Sequence, residues 1–425
     1  KNCCIISHVN ANYTVSRYCE TRLPSPDQRR IVILTGARQT GKTTLLKKVY
    51  PTLRYVNLDV LENREWLRGL SALNWAETLG KAVIDEAQKE PSVFEKVKYA
   101  FDERAADFTA LSGSAQILLL SKVRESLAGR AFVYELWPLM FSEVLGGSEA
   151  FREPLCARLA TCARVGDVLD GIPPELPPDE TNRRRQVMRH LLTWGGMPEL
   201  LGLNDADRRD WLRSYEATYL ERDLGDLARL SDLAPFRKLQ RLTALRTASL
   251  LSYSELARDG GFSVDTARRY LEYLGLSYQT FLLPPYHVNL TSQVVKSPKV
   301  FWADVGLARQ VGGMGRAMTG GLFETFVVSE LYKWVRSSGA DMRLFYYRTR
   351  SGLEVDVIIE TPNGLIGVEI KMREKAGHSD AAGLRRVAEG AGSRWLGGLV
   401  VHGGTRLEPL CEPDIWSVPA IRLLG

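Results

Sequence analysis

The chain has 425 residues, a formal net charge of +6, and 45% hydrophobic and 25% charged side chains, the proportions of an ordinary globular protein of about two to four domains at roughly 100–200 residues each. No uncharged apolar run approaches the ~20 residues of a membrane helix, so no membrane partner is expected, and the mild positive charge permits nucleic acid without requiring it. Six scattered cysteines without a CxxC pair argue against a disulfide framework or a zinc site and for a reduced, cytoplasmic protein.

Residues 1–15 read as a leader. From 16 to 147, strand signals at 31–35, 55–58, 82–85, 108–112 and 132–136 alternate with helical patterns, the first of them at 43–50. That alternation predicts an α/β fold built on a parallel sheet. Residues 148–180 end in a Pro-rich stretch and read as a connector or insertion. Residues 181–234 form a helical lid, with a turn at Gly195-Gly196-Met197-Pro198. Over 235–305 the pattern gives a helix at 236–247, a short helix at 255–258 capped by Ser254, and a helix at 264–274 capped by Ser263. Strands at 278–283 and 300–302 complete a winged helix-turn-helix. From 306 to 425 a helix is followed by strands, a second α/β unit.

Gly36-Ala37-Arg38-Gln39-Thr40-Gly41-Lys42-Thr43 sits between a buried strand and a helix that continues with Thr44. Such a loop turns successive backbone N–H groups onto phosphate oxygens, and its glycines allow the close approach. Lys42 is expected to reach the β- and γ-phosphates of ATP and Thr43 to hold Mg²⁺, with the helix dipole assisting. The strand 82–85 ends in Asp85-Glu86, as a Walker B strand does. Asp85 is assigned to the Mg²⁺ shell and Glu86 to the general base that polarises the attacking water. At the end of the next strand Ser114 is the favoured γ-phosphate sensor, with Ser112 as the alternative. Arg130, just before the fifth strand, is placed to act as an arginine finger in a neighbouring subunit or to be a surface arginine.

The runs Gly36–Leu45, Ile84-Asp-Glu-Ala-Gln, Ser112-Gly-Ser-Ala-Gln, Ser126-Leu-Ala-Gly-Arg and Glu135-Leu-Trp-Pro-Leu resemble the AAA-type ATPases of archaea and bacteria with a C-terminal domain of unknown function. Gly195-Gly-Met-Pro-Glu, Tyr219-Leu-Glu-Arg-Asp, Asp304-Val-Gly-Leu and Phe323-Glu324 extend the resemblance over nearly the whole chain from about residue 15. It implies an AAA+ fold, hydrolysis of ATP with Mg²⁺, a homo-oligomer (a ring of six) and a DNA partner. In the winged helix, the third helix would present Asp265, Thr266, Arg268 and Arg269 to a major groove, with Arg258, Lys296 and Lys299 on phosphates. The same module serves equally as a packing or oligomerisation unit.

Residues 353–360 and 365–371 alternate charged and apolar positions about the turn Thr361-Pro362-Asn363-Gly364. If Glu360 pairs with Leu365, Asp356 faces Glu369 and Glu354 faces Lys371 on one side of the sheet. Val355, Val357 and Ile359 then share the other side with Val368 and Ile370. Facing carboxylates ask for a divalent cation between them. Asp356, Glu369-Ile370-Lys371 and the helical Glu324 resemble the PD-(D/E)XK nuclease constellation, with Asp356 and Glu369 as metal ligands. Three functions follow: an AAA+ ATPase that moves or remodels duplex or branched DNA, a nucleotide-switched signalling or defence regulator, and an ATP-gated metal-dependent nuclease.

Overall fold

The structure, a computed structural model, describes residues 15–113, 127–148, 151, 153–228, 233–286, 297–315 and 317–425, with the backbone alone for 219–228. The N-terminal sheet comprises β1 (Arg30–Thr35), β2 (Arg54–Asn57), β3 (Ala82–Asp85), β4 (Phe108–Gly113) and β5 (Ala131–Glu135) in the order β2-β3-β4-β1-β5. All its pairings are parallel. Ile31 to Leu34 are fully buried because helices cover both faces. The two-residue period divides them: Ile31 and Ile33 pack with Phe94 and Val97, while Val32 and Leu34 pack with Leu45 and Leu46.

Residues 178–228 form helices Pro178–Trp194 and Asp205–Ala228, joined through Gly195-Gly196 and the short 3₁₀ turn Pro198–Leu201. Helices Ala234–Leu245, Tyr253–Gly260 and Val264–Leu276 follow. They stand beside a three-stranded antiparallel sheet of β6 (Ser249–Leu250), β8 (Lys299–Trp302) and β7 (Thr280–Leu283), in that order. Ser263 caps its helix as expected, accepting from Thr266 N at 3.1 Å. The shorter neighbouring helix starts earlier than the sequence suggests, because Ser252, not Ser254, accepts from Glu255 N.

The C-terminal sheet contains β9 (Arg343–Arg348), β10 (Glu354–Glu360), β11 (Leu365–Lys371), β12 (Trp395–His402), β13 (Glu408–Cys411) and β14 (Ile415–Pro419), ordered β13-β14-β12-β11-β10-β9. Helices Gly320–Ser338 and Ala382–Ala391 pack on it. The hairpin register is the expected one: Glu360 pairs with Leu365 and Val357 with Val368. One face assignment is corrected. Val357 and Ile359 join the large core with Val368 and Ile370, but Val355 packs with Ile358 and Leu384 on the opposite side. An irregularity in the pairing with β9 between Val355 and Ile358 breaks the two-residue alternation there.

Residues 148–180 carry helices Leu155–Ala160 and Val165–Leu169, whose apolar side chains enter the core of the C-terminal unit. Gly166 N donates to Asp414 Oδ2 at 3.0 Å and Asn363 Nδ2 to Thr161 O at 3.2 Å. The stretch is therefore packed against the C-terminal sheet along much of its length. Among the described residues no helix is long and apolar enough to cross a membrane.

Candidate functional site

The phosphate loop lies at the C-terminal edge of β1, between β4 and β5. A Cβ on Gly36 would meet Leu136 O at 2.1 Å, so only glycine fits against that carbonyl. Gly41 takes φ +93 and Gln39 φ +60, left-handed values that bend the loop around a concave centre. Thr40 Oγ1 donates to Ala37 O at 2.9 Å. The buried Lys42 ammonium donates to Gly36 O at 2.9 Å and Ala37 O at 2.7 Å, which holds it over the loop. Arg38 is half-buried, whereas Thr44 faces outward from the first turn of helix Lys42–Val49.

Asp85 collects four donors, from helix Lys42–Val49, from β2, from β4 and from the backbone of Glu86. Oδ2 accepts from Thr43 Oγ1 at 2.6 Å and Tyr55 Oη at 2.5 Å; Oδ1 accepts from Ser112 Oγ and, at 3.1 Å, from Glu86 N. Burial pushes its pKa up, but these hydrogen bonds outweigh burial and hold the carboxyl below its ordinary range. Glu86 adopts φ +56, a costly conformation for a side chain with a Cβ, and its Oε2 accepts from Gln88 Nε2 at 2.6 Å. Asp85 and Glu86 thus stand at the same sheet edge as Lys42 and Thr43. Of the two sensor candidates, Ser112 touches Asp85 and Ser114 lies outside the described residues. Arg130 precedes β5, which runs parallel to β1, so it sits at the sheet end away from its own phosphate loop. There it grips Asp102 through Nε at 2.6 Å and Nη2 at 3.0 Å.

Three neighbours of the loop carry no motif. Arg17, 7% exposed, donates to Thr40 O at 2.7 Å and Trp137 O at 2.5 Å, and pairs with Glu143 at 3.2 Å. Tyr55 reaches Asp85 as described. Tyr278, at the end of the third middle helix, donates to Thr35 Oγ1 at 3.0 Å, directly behind Gly36. None of the three had a readable signal: Tyr55 stands second in β2, between Arg54 and Val56, with no spacing that marks it.

A second cluster lies where β6 and β8 meet the C-terminal sheet. A cleft of about 400 Å³ is lined by Lys299, Glu324, Arg348, Glu354, Asp356, Glu369 and Lys371. Glu324, Asp356, Glu369 and Lys371 therefore converge as expected. Lys299 does not lie on an outer surface open to a DNA phosphate, which corrects that expectation; it is 3% exposed and its ammonium lies among Glu324 (2.9 Å), Glu354 and Asp356 (3.6 Å). Glu354 pairs with Lys299 and Arg348, while Lys371 turns to Glu369 at 2.6 Å. Asp356 Oδ2 accepts from Ile370 N at 2.8 Å. Burial, and next the charge of Asp356, push Glu324 and Glu369 above the usual carboxylate range. Burial would lower the pKa of Lys299, but Glu324, Asp356 and Glu354 reverse that and raise it. Among the described residues no three acidic, histidine or cysteine side chains form a ready-made metal cage.

On the middle helices Arg258, Asp265, Arg268 and Arg269 are exposed and Thr266 is half-exposed. Arg258 pairs with Asp259 at 3.1 Å, and Arg268 stacks over Tyr253 at 5.1 Å. Lys296 lies outside the described residues.

Residues 28–145 match the family described as an AAA domain. Residues 185–317 and 319–422 match two domains of unknown function, DUF8612 and DUF4143. An uncharacterized protein of Mycobacterium tuberculosis is 30% identical over 356 residues, 80% of this chain and 70% of that protein, and one of Mycobacterium bovis matches to the same extent. Among solved structures, the Walker-type ATPase of Pyrococcus abyssi aligns with a TM-score of 0.43 at 17% identity, over 69% of this chain and 94% of that one. The chain belongs to the family of these mycobacterial proteins, and is itself a P-loop ATPase with an AAA domain and a C-terminal DUF4143 domain.

Proposed function

We propose that the protein hydrolyses ATP with Mg²⁺ and couples turnover to action on DNA, as a ring-forming homo-oligomer. The observation that carries the hydrolysis is the gathering of Lys42, Thr43, Asp85 and Glu86 at one sheet edge, with an ionised Asp85 ringed by hydroxyl donors. That donor set suits Mg²⁺, which prefers few hard oxygen ligands and keeps its waters; Thr43 and Asp85 would hold it. Held there, it would supply charge neutralisation for the nucleotide's phosphates. Lys42 leaves the loop carbonyls for phosphate oxygen, Glu86 orients and deprotonates the attacking water, and Ser112 or Ser114 reports the γ-phosphate. Arg130 acts in a neighbour's site, since it lies away from its own. The helical lid, the winged helix-turn-helix and its exposed Arg258, Thr266, Arg268 and Arg269 supply the DNA surface.

The test is ATP turnover of the purified chain with and without duplex and branched DNA. The expected outcome is stimulation by DNA and loss of turnover in Lys42→Ala and Glu86→Gln. Turnover indifferent to every DNA form sinks the coupling to DNA; no turnover sinks the hydrolysis as well, and a nucleotide-dependent change in mass by light scattering then favours a nucleotide-switched regulator.

A second reading, a metal-dependent nuclease, is favoured by one observation. Glu369 is buried, yet its Oε2 has no hydrogen-bond partner and the residue lines the acidic cleft. Asp356 and Glu369 fit a divalent ion that would supply an activated water against a phosphodiester. Lys371 would orient that water. Mn²⁺- or Mg²⁺-dependent nicking lost in Asp356→Ala is expected; DNA left intact after long incubation rejects it.

A further inference from the structure

The acidic cleft is assembled from two parts of the chain. Glu324, Glu354, Asp356 and Glu369 come from helix Gly320–Ser338, β10 and β11. Lys299 comes from β8 of the middle sheet, where its strand is held between β6 and β7. Its side chain, 3% exposed, crosses between the two units to stand 2.9 Å from Glu324, in contact with Glu354 and 3.6 Å from Asp356. A single ammonium among three carboxylates, Asp356 buried and Glu324 and Glu354 half-buried, satisfies charge demand that a hard divalent ion would otherwise meet. The neutralisation is incomplete. Glu369 is 8% exposed, Oε1 takes Lys371 at 2.6 Å, and Oε2 is buried without a partner. The cleft beside it holds about 400 Å³, room for an ion with its waters.

We propose that Lys299 is a built-in counter-cation that keeps this cleft self-neutralised, and that a divalent ion takes Asp356 and Glu369 only as Lys299 gives up its place. The ammonium occupies the acid-lined centre in one arrangement of the two units. A shift of β8 against the C-terminal sheet, or a swing of the lysine's flexible stem, clears it. The middle unit thereby sets whether the cleft accepts metal. The proposal rests on reading the cleft as a cation site, and it extends that reading from the ligands to what guards them.

The experiment is Mn²⁺ binding to the full chain without nucleotide, by calorimetry and electron paramagnetic resonance, for wild type, Lys299→Met and Lys299→Gln. Each variant is expected to bind one Mn²⁺ at least about tenfold more tightly than wild type. Adding Asp356→Asn to either variant is expected to remove that ion. If wild type binds as tightly as the variants through Asp356, the cleft is a cation site but Lys299 does not guard it. If neither wild type nor variants bind, both readings fall. Removing Lys299 leaves carboxylates facing one another, so the variants are also melted with and without Mn²⁺. A Mn²⁺-induced rise in melting temperature in the variants, absent in wild type, supports the proposal, and variants that stay unfolded at saturating Mn²⁺ overturn it.

Discussion

Asp304 accepts the Gly196 backbone N–H at 2.7 Å, across 108 residues of chain. The same buried carboxylate caps helix Val305–Gly312 by accepting from Leu307 N at 2.9 Å. Two motifs distant in sequence, Gly195-Gly196 and Asp304-Val305-Gly306, are therefore one joint. The glycines are required sterically: a Cβ on Gly195 would meet Asp304 Oδ1 at 2.1 Å, and one on Gly196 would meet Leu139 O at 2.3 Å. Asp304→Ala is expected to cost about 2–4 kcal/mol, the sum of a lost cap and a buried N–H left unpaired. Denaturant melts of the full chain measure it; a cost below about 1 kcal/mol would show that the joint is not under load.

Arg17 holds the phosphate loop from behind through Thr40 O and anchors it to Trp137 O. Arg17→Met keeps the length and removes the donors. Charge-assisted hydrogen bonds contribute about 1.5–3 kcal/mol, so nucleotide affinity is expected to fall on the order of tenfold or more. Titration with a fluorescent nucleotide reads this, and unchanged affinity in a folded variant rejects the tether.

Arg130 and Asp102 form an exposed pair, and such pairs add little to stability. Arg130→Ala is expected to leave the melting temperature in place. If Arg130 completes a neighbour's site, turnover drops on the order of a thousandfold. Mixing this variant with Glu86→Gln then recovers partial turnover through mixed interfaces, a result that a surface arginine cannot produce.

Glu369 is pushed up to about 8 from an ordinary value near 4.5, first by burial and next by the charge of Asp356. A carboxyl whose pKa is raised on folding binds its proton more tightly in the folded state. The associated stability is present below about 4.5 and is lost as pH rises through about 8. Glu369→Gln mimics the protonated form and does not titrate. The variant is therefore expected to match wild type near pH 4.5 and to gain on it progressively up to about pH 8. Paired thermal melts across that range test this; a constant difference between the two proteins contradicts the shift.

Much of the ATP site was legible because its chemistry is local. Gly36, Gly41, Lys42 and Thr43 lie within one strand–loop–helix turn of eight residues, and Asp85-Glu86 follow a short apolar run, Ala82 to Ile84. The hairpin register around Thr361–Gly364 was legible for the same reason, since a short turn sets the pairing. Arg17, Tyr55 and Tyr278 were not readable as site residues, because a lone arginine or tyrosine has no spacing rule. Their positions follow from three separate elements packing on one loop.

Sequence alone determined the phosphate loop, the parallel order of strand and helix around it, and the acidic face of the C-terminal hairpin. Each is encoded within a few tens of residues, by periodicity, glycine placement and turn length. Tertiary structure alone decided that Lys299 leaves the solvent for the acidic cleft, that Asp304 ties Gly196 in place, and that Val355 turns away from Val357. These depend on which surfaces of separate units meet and on one irregularity in strand pairing. Burial of a charge is stable only where its partner arrives, and that partner lies 25 residues away for Glu324 and farther for Glu354 and Asp356.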